Sequence, residues 1–342
     1  MGLRSGGCQR LWQAPGVAQT RGGARAAGLG TGGLALAVEA ARRFHLEGAS
    51  KVQIAADLGV SRFKVARLLE AARAAGVVQI RIGAPPQLDG ALGDALRERY
   101  GLRQALVLTG EHDADDDTEA GPLGGAVGRL AADYAQQLVS PDDVVGLAWG
   151  HAMSAVSAGW TEHTPARFVQ LAGTIGRPDV RLDAPGLVRT AAAAAGGTPA
   201  YYYAPLLMPD AASAAALRDQ AGVREALAEL DELTLAVVSI GAWAPGESTV
   251  FDNLGQADRE VAAGAGVVAE TTGLLLDAGG RVVDVLADRV LAVSAEQLRR
   301  TPRVVALGVG AGRAGAVAAV ARSGLVDTLV THSGLARALL EV

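Results

Sequence analysis

The sequence has little cysteine, no long apolar run and no internal repeat of fixed period. Cys8 is the single cysteine, so an intramolecular disulfide framework is excluded and a reducing compartment is favoured. The first 33 residues contain arginine and glycine but no apolar run as long as a signal peptide requires, and nothing further along resembles a transmembrane span. We therefore expect a cytoplasmic protein without a membrane partner, in which residues 1–33 form a disordered arm.

Positive charge is concentrated near the N-terminus although the whole protein is acidic. The formal net charge is −5 at pH 7, from 31 basic and 36 acidic side chains. Residues 1–35 hold four arginines and no acidic residue, and residues 36–82 hold eight basic residues against four acidic ones. Residues 83–342 are left with 19 basic and 32 acidic residues. Such asymmetry is typical of a nucleic-acid-binding module attached to a body with another function.

Residues 34–82 have the pattern of a winged helix-turn-helix, with three short helices and a closing strand. Ser50 and Ser61 are suited to cap the second and third helices, Gly59 supplies the left-handed turn between them, and Gly76 ends the third. Apolar residues mark one face of each helix: Val38, Ala41 and Phe44, then Ile54, Ala55 and Leu58, then Val65, Leu68, Leu69 and Ala72.

The third helix carries basic side chains opposite its apolar stripe. In a helix-turn-helix this face meets phosphates and base edges in a major groove. We therefore predict that Ser61, Arg62, Lys64 and Arg67 bind double-stranded operator DNA. The alternative is a small solvated helical hairpin with ordinary surface cations.

The remaining 88–342 segment alternates short β-branched runs with Ala-rich amphipathic stretches, which predicts parallel βα units. A hydrophobic fraction of 50% and 45 glycines suit such an α/β domain with many tight turns. Pro85 and Pro86 break the pattern and place a linker at residues 83–87. The predicted strands are 105–108, 144–148, 168–171, 235–240, 304–307 and 328–330, and the predicted helices are 91–99, 124–138, 184–195, 224–232, 314–322 and 336–340.

An acidic run, EHDADDDTE, occupies residues 111–119. A metal site is conceivable there, but a loop between a strand and a helix is more often simply solvated. We predict neither a metal ion nor a cofactor.

Three glycine-rich turns follow predicted strands and form a candidate anion-binding pocket. In open parallel sheets the ligand lies beyond the carboxyl ends of the strands, where glycines expose backbone N–H groups and helix N-termini add positive potential. Arg313 is suited to a bidentate pair with a phosphate. The alternative for each loop is that a strand-to-helix turn favours glycine without any ligand. The candidate residues are Gly150, His151 and Ser154, then Gly173 and Thr174, then Gly308, Gly310, Gly312 and Arg313.

The order of several sequence blocks resembles the SorC family of bacterial sugar-responsive transcriptional regulators, from residue 34 to residue 341. The resemblance implies a Rossmann-like α/β effector domain, similar to sugar-phosphate isomerases and deaminases, that binds a sugar or sugar phosphate. It also implies a homodimer or homotetramer on operator DNA. The blocks are SR…VARLLEAARAAGVVQIRI, VVGLAWGHAMSAV, VQLAGTIG, APLLMPD, LAVVSIGAW, GVVAETTGLLLDAGG, and VVALGVGAGRAGAV with LVTHSGLARALLE.

The resemblance also extends the predicted effector site to two further residues. Gly241 lies in the LAVVSIGAW block, and Glu270, in VVAETTG, matches a position where the family carries an acidic residue near the sugar. A hydroxyl-binding or gating role is therefore expected for Glu270, with an ordinary surface carboxylate as the alternative.

The chain departs from the family pattern at positions that concern the ligand. His151 and Ala152 stand where the family usually has a basic residue and a threonine that holds the phosphate. Either Ser154 replaces that threonine or the ligand lacks a phosphate. Arg313 replaces a lysine, and His332 stands in an acidic position.

Catalysis and ligand-independent DNA binding are the two competing functions. A sugar-phosphate isomerase or deaminase needs a general acid and a general base, and the motifs bring only Glu270, His151 and His332 toward the pocket. A fused DNA-binding module is unusual for a metabolic enzyme, so we assign no catalytic residue. We predict a non-enzymatic regulator of carbohydrate metabolism whose operator binding is controlled by a sugar, polyol or sugar phosphate.

Overall fold

A computed structural model describes residues 31–78, 88–110, 118–175 and 183–342 of the chain. The chain divides into two compact units, residues 1–84 and residues 85–342. Residues 79–82, at the end of the predicted winged helix-turn-helix with its closing strand, lie outside the described residues, as do the predicted linker at 83–87 and the N-terminal arm up to residue 30. Residues 31–33, which we assigned to the arm, already belong to the first described helix.

The first unit contains the three predicted helices with the predicted caps. The Ser50 hydroxyl accepts a hydrogen bond from the Gln53 backbone N–H, and the Gln53 side chain accepts one from the Ser50 backbone in return. The Ser61 hydroxyl accepts from Lys64 N at 3.1 Å, and Gly59 adopts a φ of +63° in the turn between the two helices. The helices are α1 (Thr31–His45), α2 (Lys51–Asp57) and α3 (Arg62–Ala74).

The core of the first unit confirms the apolar stripe of α3 and corrects that of α1. Val38 was predicted to face the core but is 43% exposed, whereas Ala37 and Ala40 are fully buried. Helix α1 packs chiefly against α3. Ala37 and Ala40, one helical turn apart, let the helix backbones approach more closely than a valine would. The buried residues are Ala37, Ala40, Ala41, Ile54, Ala55, Val65, Leu68, Leu69 and Ala72.

The second unit is built on a seven-stranded, fully parallel sheet with the order β1-β10-β9-β5-β2-β3-β4. A three-stranded antiparallel sheet, β6-β7-β8, stands beside it. The strands are β1 (Gln104–Leu108), β2 (Val144–Leu147), β3 (Arg167–Gln170), β4 (Thr198–Ala200), β5 (Leu235–Ser239), β6 (Gly241–Ala242), β7 (Val267–Thr271), β8 (Leu274–Asp277), β9 (Arg303–Leu307) and β10 (Thr328–His332).

Helices connect and cover the strands of the second unit. Two short 3-10 turns, Glu229–Glu232 and Ala311–Arg313, supplement them. The helices are α4 (Gly90–Tyr100), α5 (Pro122–Gln136), α6 (His151–Gly159), α7 (Ala184–Ala195), α8 (Ala211–Arg218), α9 (Ala221–Ala228), α10 (Thr249–Asn253), α11 (Gln256–Gly264), α12 (Ala295–Arg300), α13 (Ala314–Arg322) and α14 (Ser333–Glu341).

The prediction of an α/β domain with parallel βα units is confirmed. All six predicted strands and all six predicted helices have counterparts, while α6, α8, α10, α11, α12, β4 and β6–β8 were not predicted. Both faces of the large sheet are buried, one under α5, α6 and α7 and the other under α4, α13 and α14. Burial on both faces explains the near-continuous apolar runs of its strands.

The direction in which the chain adds strands changes between β2 and β5. From β2 the chain proceeds outward through β3 to β4, whereas from β5 it proceeds through β9 to β10 on the other side. Connections therefore leave β2 and β5 in opposite directions, and a crevice opens beyond their carboxyl ends. The candidate site lies at this crevice.

Candidate functional site

A cavity of about 590 Å³ lies beyond the carboxyl ends of β2 and β5. Five of the sequence-predicted effector residues line it together: Gly150, His151, Gly241, Glu270 and Arg313. The other lining residues were not predicted, and they are Glu119, Trp149, Ser239, Gly246, Glu247, Ser248, Thr249 and Asp252.

The second predicted loop does not reach this cavity. Gly173 N donates to Leu291 O, and its carbonyl oxygen accepts from the Trp149 indole N–H at 3.1 Å. Thr174 N donates to Ala204 O, and Thr174 lines a separate cavity of about 240 Å³. The glycine therefore serves packing here, since a Cβ on Gly173 would lie 2.6 Å from the carbonyl oxygen of Pro205.

The third predicted loop contributes only its arginine to the cavity lining. Gly308 N donates to Val330 O, and Gly310 N donates to the Nε2 atom of the buried His332 at 3.3 Å. Neither Gly308, Gly310 nor Gly312 lines the cavity, and neither does Ser154, which lies one turn into α6. These four residues therefore do not line the cavity with Arg313.

The turn from β2 into α6 brings three chain segments into contact. Gly150 adopts a φ of +155°, and a Cβ there would lie 2.8 Å from Ser239 Oγ and 2.9 Å from Glu119 Oε1. The Ser239 hydroxyl donates to Trp149 O at 3.1 Å. Glycine is required at position 150 because the end of β5 and the Glu119 side chain approach the backbone so closely.

Arg313 is bound by two carboxylates of the protein itself. Its Nη1 atom lies 2.9 Å from Glu119 Oε2, and its Nε atom lies 2.5 Å from Glu247 Oε2. The Arg313 and Glu119 side chains are only 11% and 13% exposed. The predicted bidentate pair of Arg313 with a phosphate stays a prediction, and in this structure two carboxylates already bind the Nη1 and Nε atoms of its guanidinium.

Glu119 lines the cavity, although the sequence interpretation assigned it to a solvated loop. Its Oε1 atom accepts a hydrogen bond from the Ala152 backbone N–H at 3.3 Å, in the first turn of α6. Its carboxylate thus lies between the N-terminus of a helix and a guanidinium group, both of which attract anions. No local sequence signal marks this role, because Arg313 is 194 positions away in the chain. The preceding residues 111–117 lie outside the described residues.

Glu270 is buried at the cavity wall, in β7 opposite Gly241 of β6. The Ser248 hydroxyl donates to its Oε1 atom at 3.0 Å. Burial raises the pKa of Glu270 from its ordinary 4.5 to about 7, against the opposing effect of the Ser248 hydrogen bond. The alternative of an ordinary surface carboxylate is wrong. Glu270 exchanges between a hydroxyl-accepting carboxylate and a neutral acid near neutral pH.

The described lining of the cavity is acidic. Among the described residues, four carboxyl groups line it, those of Glu119, Glu247, Asp252 and Glu270, against the single guanidinium of Arg313. His151 lines the same cavity, and its Nδ1 atom is buried without a hydrogen-bond partner among the described residues. Such a wall suits hydroxyl donors better than anions.

The predicted DNA-binding face of α3 is open. Arg62, Lys64 and Arg67 are exposed, and their side chains form no ion pair with any residue in the described ranges. The Arg62 guanidinium lies 6.0 Å from the ring centroid of Phe63, which is itself 78% exposed. Ser61 caps the helix through its hydroxyl, and so its predicted DNA contact would come from its backbone or from a shared hydroxyl.

Two negative findings apply to the described parts of the chain. No group of three or more His, Cys, Asp or Glu side chains there is arranged to hold a metal ion. None of the helices in those ranges is both long and apolar enough to cross a membrane.

Comparisons with known proteins agree with this architecture. Residues 85–341 match the family model described as "Putative sugar-binding domain". The transcriptional regulator LsrR of Klebsiella pneumoniae subsp. pneumoniae is 27% identical over 321 residues, which is 90% of this chain and 95% of that protein. The deoxyribonucleoside regulator of Bacillus subtilis is 35% identical over 122 residues, which is 36% of this chain and 37% of that protein.

A solved structure shows the same fold over nearly the whole chain. The full-length sorbitol operon regulator SorC from Klebsiella pneumoniae superposes with a TM-score of 0.67 at 20% identity, covering 91% of this chain and 100% of that chain. The family match spans most of the present chain, from residue 85 to residue 341. The resemblance to SorC regulators seen in the sequence is thereby confirmed, and the chain belongs to the sugar-binding domain family that these regulators carry.

Proposed function

We propose that this protein is a transcriptional regulator of carbohydrate metabolism, in which a sugar, polyol or related compound in the cavity controls operator binding by the first unit. The observation that carries the proposal is the pairing of an open basic helix face in one unit with a polar, lined cavity in the other. LsrR, the sorbitol operon regulator and the deoxyribonucleoside regulator bear names that agree with such a role.

Alanine substitution on α3 tests DNA binding. A DNA site is first selected from a random library with the full-length protein. In fluorescence anisotropy titrations, Arg62→Ala or Arg67→Ala is expected to weaken binding by about 1–3 kcal/mol if the residue contacts a base, whereas Lys64→Ala weakens all sequences alike and flattens the salt dependence. Arg299→Ala, an exposed arginine of α12, is the control with the same change of charge. Wild-type affinity in both arginine variants would contradict the assignment of α3.

We further infer a homodimer or homotetramer that associates through the second unit. A single helix-turn-helix contacts too few base pairs to be selective in a genome, so a regulator of this kind needs paired modules spaced by whole helical turns. Light scattering at micromolar concentration is expected to give at least a dimer for the full chain and for a chain that lacks residues 1–83. A monomer in both cases would contradict the inference.

Catalysis is the competing function, and Glu270 is the observation that favours it. A carboxyl group with a pKa near 7 in a cavity is suited to proton transfer. The isomerase reaction would exchange a carbon-bound hydrogen of a sugar phosphate with solvent. We expect no deuterium incorporation in heavy water by NMR. Exchange that is lost in Glu270→Gln would instead establish an enzyme.

A further inference from the structure

The N-terminus of α6 and the guanidinium of Arg313 converge on one point of the cavity wall. The Ala152 backbone N–H and an N–H of Arg313 Nη1 are both directed at this place. An anion bound there would receive a hydrogen bond from each, reinforced by the helix dipole and by a full positive charge. This point is the anion position of the cavity.

The anion position already holds an anion, the carboxylate of Glu119. Oε1 of that carboxylate accepts from Ala152 N at 3.3 Å, and Oε2 accepts from Arg313 Nη1 at 2.9 Å. The two oxygens thus make the contacts that two oxygens of a phosphate would make. The side chain is 13% exposed, and a Cβ on Gly150 would lie 2.9 Å from its Oε1. The Glu119 carboxylate therefore occupies the space between the two donors.

The surrounding charges disfavour a second anion at this place. Glu247 also binds Arg313, through Nε, so the guanidinium faces two carboxylates. Asp252 and Glu270 add further acidic groups to the same wall. A phosphate would meet like charges at close range and no unpaired guanidinium or ammonium group among the described lining residues, which is unfavourable even in a polar environment.

We propose that the side chain of Glu119 itself occupies the anion position. The cavity consequently binds an uncharged polyhydroxyl ligand, a free sugar or sugar alcohol, and rejects the phosphate ester of that ligand. The proposal rests on the proposed function and specifies its ligand class. Carboxylate oxygens accept hydrogen bonds from hydroxyl groups, and the lining offers several of them together with the hydroxyls of Ser239, Ser248 and Thr249. The departures at His151 and Ala152 fit the same proposal, since the first turn of α6 contains neither lysine nor arginine.

The first experiment uses inorganic phosphate as the probe of the anion position. Calorimetric and phosphorus NMR titrations are performed on the full chain, on Glu119→Ala and on Glu119→Gln. We expect no measurable binding to the wild type, and binding by Glu119→Ala that is about tenfold or more tighter than the weakest affinity the titration can detect, because the two donors are released. Glu119→Gln removes the charge at nearly constant size and guards against a folding defect, and a smaller gain is expected.

Two further variants test whether the gain in phosphate affinity depends on Arg313 and on the position of the removed charge. Glu119→Ala combined with Arg313→Ala is expected to lose the gained affinity, since the guanidinium would be gone. Glu225→Ala, an exposed acidic residue of α9, is the control for a general change of charge and is expected to behave as the wild type. Phosphate binding to the wild type, or no gain in either Glu119 variant, would overturn the assignment.

The second experiment compares matched pairs of carbohydrates with the wild type. Glucitol, fructose and ribose are each measured beside their terminal phosphate esters, by thermal shift and by the effect on DNA affinity. Binding of a free compound with rejection of its ester supports the proposal, and tighter binding of an ester overturns it. If no carbohydrate of either kind binds or alters DNA affinity, the ligand class fails together with the sugar-responsive function, whereas a phosphate gain in Glu119→Ala still establishes the occupied anion position.

Discussion

Arginine is used in opposite ways by the two units. On α3, Arg62 and Arg67 are exposed and form no ion pair with a described residue, so their charges are available to a polyanion. In the cavity, Arg313 is 11% exposed and is shared between Glu119 and Glu247. The difference shows that an arginine beside a pocket does not by itself indicate an anionic ligand. The carboxylates within reach decide whether its charge is free.

The units also differ in how they are stabilised. The described part of the first unit has nine buried core residues, five of them alanine, whereas two extensive apolar layers cover the sheet of the second. A small core buries less apolar area, so the loss of a given buried area removes a larger share of its stability. The following predictions separate the two units by experiment.

The largest effect is expected from Leu68→Ala in α3. Leu68 is 1% exposed, and removing its buried methyl groups is expected to cost about 2–5 kcal/mol. Calorimetry should show the first unit melting earlier while the transition of the second unit stays in place, and anisotropy should show weaker DNA binding. Leu46→Ala is the matched control because Leu46 is 81% exposed. Simultaneous destabilisation of both units by Leu68→Ala would contradict their independence.

A smaller, pH-dependent effect is expected from Glu270→Gln. The buried carboxyl group has a pKa of about 7 in the folded chain and its ordinary 4.5 in the unfolded chain, so the folded state binds the proton more tightly. Stability contributed by the protonated group is present below about pH 4.5 and is lost as pH rises to about 7, by on the order of 3 kcal/mol. Chemical denaturation between pH 4.5 and 8 should show a flatter profile for Glu270→Gln than for the wild type. Glu296→Gln, an exposed position, should leave the slope unchanged.

The smallest effect is expected from Ser61→Ala. Loss of the hydroxyl that accepts from Lys64 N is expected to lower the stability of the first unit by about 1 kcal/mol. Ser61→Asp should retain the stability because aspartate is also an N-cap residue. Measuring both variants by thermal melting and by DNA affinity separates the cap from a direct DNA contact. Equal stability of the alanine variant and the wild type would argue against the cap.

Local signals explain why the three helices of the first unit were predicted almost completely. Caps at Ser50 and Ser61, the turn at Gly59 and the apolar stripe of α3 all act within a few residues of one another. The prediction failed at Val38 because the rotation of α1 about its axis depends on how closely it packs against α3. Helical periodicity is compatible with a buried Val38 or with buried Ala37 and Ala40, so it does not decide which face of α1 meets the core.

The candidate site was predicted only in part. The glycines and Arg313 follow strands in the sequence, so the rule of carboxyl-terminal ligand sites indicated them. The same rule indicated four residues that do not line the cavity. Their backbone N–H groups donate to other parts of the protein, and they are Gly173, Thr174, Gly308 and Gly310. A glycine after a strand is compatible with both outcomes.

The sequence by itself determined the three helices of the first unit with their caps, the parallel βα architecture of the second unit and the exposed basic face of α3, because these depend on periodicity and on neighbours close in the chain. Only the tertiary structure decided the charge of the cavity. Glu119 meets Arg313 across 194 positions and Ala152 across 33, and such a meeting depends on how the strands are ordered in the sheet. Burial, which raises the pKa of Glu270, is likewise a property of the packed fold, because a carboxyl group loses its water only when distant segments close around it.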